Sequence, residues 1–220
     1  MAIDKSRTKP WMKAVIIFVC ASFVLGVGFS FSGFLSATQT TTGTQTGSSN
    51  TSETIDAIAR TYSASIKALE ASASPNDPAV DLAIAEKYFE WGDTVLQAVS
   101  QAGGNTPAAQ QQGFALSAPY WQAASAAYAK SFKVKSGDAS STTDYAISVF
   151  YSGDASGAVK IAEELVSRDP KFAPIRFNLG IFYANAGDTA KARAALQEYL
   201  TIDPNGQSAA AAKDMLSKLQ

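Results

Sequence analysis

The chain has 220 residues with 18 basic and 19 acidic side chains, a formal charge of −1 and no histidine. That balance gives no global nucleic-acid signal, and the missing histidine excludes Ser-His-Asp and Cys-His nucleophiles and every histidine metal site. One cysteine, Cys20, excludes an internal disulfide framework and any zinc site built from several thiolates.

The first predicted element is a charge-free run, residues 14–35, AVIIFVCASFVLGVGFSFSGFL. As a helix it spans roughly 33 Å, enough for a hydrocarbon core of about 30 Å. Lys5, Arg7, Lys9 and Lys13 precede it against a single acid, Asp4, and the next charge is Glu53. The positive-inside rule therefore predicts a cytoplasmic basic tail over 1–13, a single-pass transmembrane helix over 14–35 in the cell membrane, and an extracytoplasmic remainder. Leu35 would occupy the −3 position for cleavage after Ala37, a poor signal-peptide site. Cys20 follows Val19 inside the run, where it reads as a small apolar residue and not a lipidation site. Ser22, Gly26 and Ser30 recur at the small-xxx-small spacing that lets two helices approach, a weak face for homo-oligomerisation. Residues 36–52 hold eleven Ser or Thr in seventeen and no bulky apolar side chain, the composition of a disordered linker. As a flexible coil it reaches about 23 Å root-mean-square.

From Glu53 the composition becomes that of an alanine-rich helical protein, with 36 Ala in the last 168 residues. Nothing alternates with a two-residue period between hairpin turns, so no strands are expected. Ile55, Ile58, Tyr62, Ile66, Leu69 and Ala73 recur at three- and four-residue steps and give a first helix one apolar face. Asp77-Pro78 supplies an N-cap and a first-position proline for the next helix. Gly153-Asp154 recurs as Gly187-Asp188, Ala158 as Ala192, and Asp169-Pro170 as Asp203-Pro204, each at an offset of 34. Ungapped alignment of 139–170 on 173–204 gives eight identities in 32 positions. A fixed period of this length is the mark of a solenoid.

With Leu179-Gly180, Tyr183, Gly187-Asp188, Ala192 and Pro204 in register, the last full repeat resembles the tetratricopeptide repeat (TPR) family. The 139–170 repeat keeps Gly153-Asp154, Ala158 and Pro170, but has Tyr145-Ala146 for Leu-Gly and Val149 for the tyrosine. The resemblance implies an all-α, helical-hairpin solenoid, a TPR-like superhelix over 53–220. Its units would be a degenerate repeat at about 78–138, repeats at 139–172 and 173–206, and a capping helix at 208–219. Within 78–138, Trp91-Gly92-Asp93 echoes the turn, Pro119-Tyr120-Trp121 opens a second helix, and 101–117 is an insertion that lengthens the hairpin.

No constellation carries catalysis, and none holds a metal or cofactor; paired acids such as Glu163-Glu164 read as solvated helix surface. Lys130, Lys133 and Lys135 form a small basic group that reads the same way. The resemblance instead implies recognition of a protein partner, a peptide segment or a helix, on the concave face of the first helices. The family's ligand-facing positions fall on Thr143, Asp144, Ile147, Phe150 and Tyr151 in one repeat. In the next they fall on Phe177, Asn178, Ile181, Ala184 and Asn185. Asp144, Ser140 and Pro174 stand where a carboxylate clamp would need asparagine and lysine. The expected whole is a bitopic bacterial membrane protein acting as a binding scaffold or assembly factor, not an enzyme. The alternatives are a self-associating structural envelope protein or an enzyme with no recognisable site.

Overall fold

The computed structural model describes residues 48–219 apart from 73, 75, 76 and 105. They form eight helices: α1 (Ser48–Ser72), α2 (Pro78–Gly103), α3 (Pro107–Val134), α4 (Ala139–Tyr151), α5 (Ala155–Arg168), α6 (Ala173–Asn185), α7 (Thr189–Ile202) and α8 (Ala209–Lys218). There is no strand among the described residues.

Local chemistry sets most of these boundaries. The Asp77 carboxylate accepts from the Ala79 N–H at 2.9 Å, with Pro78 opening α2. Asp154 and Asp188 cap α5 and α7 in the same way, accepting from the Gly157 and Lys191 N–H groups at 2.8 and 3.1 Å. Gly153 and Gly187 precede these caps at φ of 101° and 80°, a region that a side chain would strain. The 34-residue offset is thus a repeated turn: a glycine reverses the chain, and the next aspartate starts a helix.

Packing follows the hairpins α2/α3, α4/α5 and α6/α7. The second helix of each also packs on the first helix of the next, α4 touches both α2 and α6, and α8 closes on α7. The result is a solenoid with α2, α4 and α6 in one row. Aromatic rings tie the units together. Trp121 meets Phe89 edge-on at 5.0 Å and Tyr151 at 5.1 Å, Phe150 stacks on Phe182 at 4.8 Å, and Phe177 meets Tyr199 at 5.6 Å. Where rings are absent, small residues let the helices close up. A Cβ on Gly180 would stand 2.7 Å from Leu196 Cδ2 and 3.4 Å from the Ala192 carbonyl oxygen. Gly180→Ala is therefore expected to cost about 1–3 kcal/mol, read as a lower urea midpoint at unchanged slope.

Three expectations are corrected. Trp91-Gly92-Asp93 is not a turn but lies in the middle of α2, and Pro119 lies inside α3 instead of opening it. Gly92 is present for closeness: a Cβ there would stand 2.7 Å from Trp121 Cε2. The stretch 101–117 completes two long helices of 26 and 28 residues, beside 13 or 14 in the later hairpins. Secondly, Ser48–Ser52 of the expected linker belong to α1. The rest of that linker lies outside the described residues. Thirdly, the single-pass membrane location is overturned: among the described residues no helix is long and apolar enough to cross a membrane. The longest, α2 and α3, carry charged and polar side chains such as Asp81, Glu86, Gln110 and Lys130 along their length. Residues 14–35 and the Ser22/Gly26/Ser30 face, on which the expectation rested, lie outside the described residues.

Candidate partner-binding groove

The face expected to bind a partner is the row α2–α4–α6, and the helices that form it determine what remains accessible. α4 is packed on α2, α3, α5 and α6, so most of its surface is enclosed. Thr143, Asp144 and Ile147 are consequently buried at 3–4% exposure. Thr143 donates its hydroxyl back to the Ala139 carbonyl at 2.8 Å. On α6, Phe177 and Ile181 are also buried, Phe177 against Tyr199 of α7. The remaining five residues reach the surface to differing degrees. Phe150, Tyr151, Asn178 and Ala184 are half-buried and Asn185 is exposed.

The accessible part of the row is therefore the C-terminal end of α4 and α6, floored by the Phe150–Phe182 stack, with Asn178 one to two turns back along α6. The Asn178 Nδ2 donates to the Pro174 carbonyl at 2.9 Å, so its own helix uses that donor and the side-chain oxygen stays available as an acceptor. Beneath this surface, Arg176 is buried and its Nε donates to Glu198 at 3.1 Å, linking α6 to α7. Tyr183 links α6 to α5 by donating to Glu163, and Lys191 sits 5.2 Å from the centre of its ring. Burial and the Glu163 carboxylate hold the Tyr183 phenol well above its usual pKa. These contacts make the groove walls rigid.

Sequence reasoning missed one charged group in this row. Asp93, read as part of a turn, is buried at 3% exposure in α2. Burial pushes its carboxyl up to about 7, opposed by the Gln97 side-chain amide donating at 2.6 Å. Nothing in its local pattern distinguishes it from the capping aspartates. Among the described residues no group of three or more His, Cys, Asp or Glu is placed to hold a metal ion.

Residues 150–219 match the family described as Tetratricopeptide repeat. No curated protein matches the chain. Similar solved structures include MamA, at a TM-score of 0.48 and 16% identity, covering 81% of this chain and 94% of that one. YrrB, described as a TPR protein with an unusual peptide-binding site, gives 0.41 and 18% over 74% of this chain and 87% of that one. A thermophilic TPR protein of Thermus thermophilus gives 0.42 and 16% over 76% and 98%.

Proposed function

We propose that the groove of this chain, whose residues 150–219 match the Tetratricopeptide repeat family, captures a segment of a partner protein. Repeats of this family are non-enzymatic protein-interaction scaffolds that bind proteins or peptides. The observation that carries the finer reading is the open end of the α4–α6 row: Phe150, Tyr151 and Ala184 offer apolar surface beside the amides Asn178 and Asn185. An apolar floor with amides at its edge suits a peptide backbone. The floor takes side chains, while the amides pair with backbone groups that binding would otherwise leave unsatisfied. Thr143, Asp144, Ile147, Phe177 and Ile181 serve this surface from below by fixing α4 and α6.

The ends of the solenoid support a scaffold over end-to-end self-assembly. α8 turns Lys213, Asp214, Ser217 and Lys218 outward, with Lys218 and Asp214 paired at 2.6 Å. α1 turns out Glu53, Asp56, Arg60 and Lys67. Polar outer faces are what terminal units need in order to stop a solenoid.

Asn178→Ala and Asn185→Ala, separately, are expected to weaken partner binding by about three- to tenfold, the value of one hydrogen bond each. The thermal midpoint should stay within a degree or two, because neither side chain is part of the core. Titration calorimetry with the isolated partner checks the first expectation and a melting curve the second. Full affinity in the double variant would remove this end of the row as the binding surface.

A further inference from the structure

Charge is sorted between the two rows of helices. The first helices of the hairpins, α2, α4 and α6, carry Asp81, Glu86, Glu90, Asp93 and Asp144 against Lys87 and Arg176. The second helices, α3, α5 and α7, reverse the balance, with six basic residues to three acidic. Two ion pairs between the rows, Lys130–Asp81 at 2.8 Å and Arg176–Glu198 at 3.1 Å, spend one charge of each sign from the first row. That leaves four acids in the row against Lys87, which pairs with Glu90 at 2.7 Å. The groove side of the solenoid is acidic.

Helical spacing says where these carboxylates stand. Ile84, Tyr88, Trp91 and Val95 form the face of α2 that meets α1. Glu86, Glu90 and Asp93 recur at steps of four and three on the opposite side, the side on which α4 follows in the row. Tyr128, fully buried, packs on Tyr145 of α4 at 6.0 Å, and its hydroxyl has no hydrogen-bond partner. Burial, and after it the carboxylates of Asp144, Glu86, Glu90 and Asp138, hold that phenol well above its usual pKa. Acids of α2 and α4 thus gather round one point between the two helices. Trp121 fixes their level, touching Phe89 and Gly92 of α2 and Tyr151 of α4. Glu90 accordingly stands level with Tyr151, the last residue of α4, and the acidic stripe runs into the apolar open end of the α4–α6 row. Glu86 and Glu90 are half-buried and reach solvent, while the buried Asp144 acts from below through its field.

We propose that the segment held at this open end carries basic residues beside its apolar ones, and that their charges pair with Glu86 and Glu90 on the α2 wall. An arginine or lysine lays its aliphatic stem over the Tyr151 ring and brings its charged head to Glu90. An acidic segment on the same path meets like charge. The inference rests on the α4–α6 groove as the binding surface and adds the α2 wall to it.

The test is selection of phage-displayed random peptides on the immobilised full chain, followed by anisotropy titration of the enriched sequences as labelled synthetic peptides. The expected result is enrichment of peptides with several Lys or Arg next to apolar residues. The double variant Glu86→Gln/Glu90→Gln, which keeps both side-chain shapes at partly exposed positions, should weaken them about three- to tenfold, and Asn178→Ala should weaken them as well. Enriched peptides that are neutral or acidic, or basic ones that the double glutamine variant binds as the parent does, would overturn the inference; the groove itself stands if those peptides still lose affinity to Asn178→Ala. Basic peptides that the glutamines weaken but Asn178→Ala and Asn185→Ala leave untouched would overturn the groove reading, and with it the arrangement of wall and floor proposed. Failure to enrich any peptide would count against both.

Discussion

Trp121→Ala is expected to lower the stability of the helical domain by about 3–5 kcal/mol, the largest effect of any single truncation in this fold. Trp121 is fully buried and is the ring on which two hairpins meet. It touches Phe89 of α2 and Tyr151 of α4, and Gly92 lies flat against its indole. Removing it opens a cavity at the joint between the long first hairpin and the 34-residue repeats, where rigid helices on both sides prevent collapse. Trp121→Phe separates volume from polarity. The Trp121 Nε1–H is buried without a partner, so phenylalanine removes a liability while keeping most of the ring, and the cost should fall to about 1–2 kcal/mol. Urea unfolding gives both numbers. Trp91→Ala should behave differently, because Trp91 belongs to the separate cluster under α1. Its loss should raise amide exchange in α1 well before it lowers the global midpoint. Equal global costs for the two tryptophans would show that α1 and the repeats unfold as one unit.

Asp93→Asn is expected to stabilise the protein at neutral and alkaline pH. The Asp93 carboxyl is held at about 7 in the fold, against 3.8 for an unperturbed aspartate. A raised folded-state pKa means that the native protein binds the proton more tightly than the unfolded chain does. Ionisation therefore opposes folding: the stability present below about pH 4 drains away as the pH rises to about 7, and stays lost above that. Asparagine keeps an oxygen for the Gln97 amide and never ionises. The difference between variant and parent should be near zero at about pH 4 and grow to on the order of 2–4 kcal/mol at about pH 8. Melting curves of both proteins across that range test the sign as well as the size. A difference that does not change with pH would mean that Asp93 does not titrate in this window.

Gly153, Gly187, Asp154 and Asp188 were legible in the sequence because their roles are local. A glycine that reverses the chain and an aspartate that caps the next helix need only their neighbours, and their repetition at a fixed offset fixed the hairpin plan. Thr106-Pro107 carried the same kind of signal for the start of α3, with the Thr106 hydroxyl accepting from the Ala109 N–H at 3.2 Å, yet Pro119 was the proline read as the opening. Trp91-Gly92-Asp93 was misread for a physical reason. Its glycine and aspartate match the turn by type, but the glycine makes room for Trp121 and the aspartate is buried, both facts of tertiary packing. The groove shows the same division. The family register placed ten residues on α4 and α6, but whether each meets solvent depends on how many helices enclose α4, and four do. Hence Thr143 and Ile147 lie under the surface to which Ala184 and Asn185 belong.

The central claim, that the open end of the α4–α6 row holds a partner segment, is tested most directly by site-specific photocrosslinking in cells. A photoreactive residue would replace Asn185 on the groove or, for comparison, Arg193 on the outward side of α7, both exposed. The account predicts one defined adduct from position 185, diminished by a second-site Asn178→Ala change, and none from position 193. An adduct of equal yield from position 193, or one from 185 that Asn178→Ala leaves untouched, would contradict it.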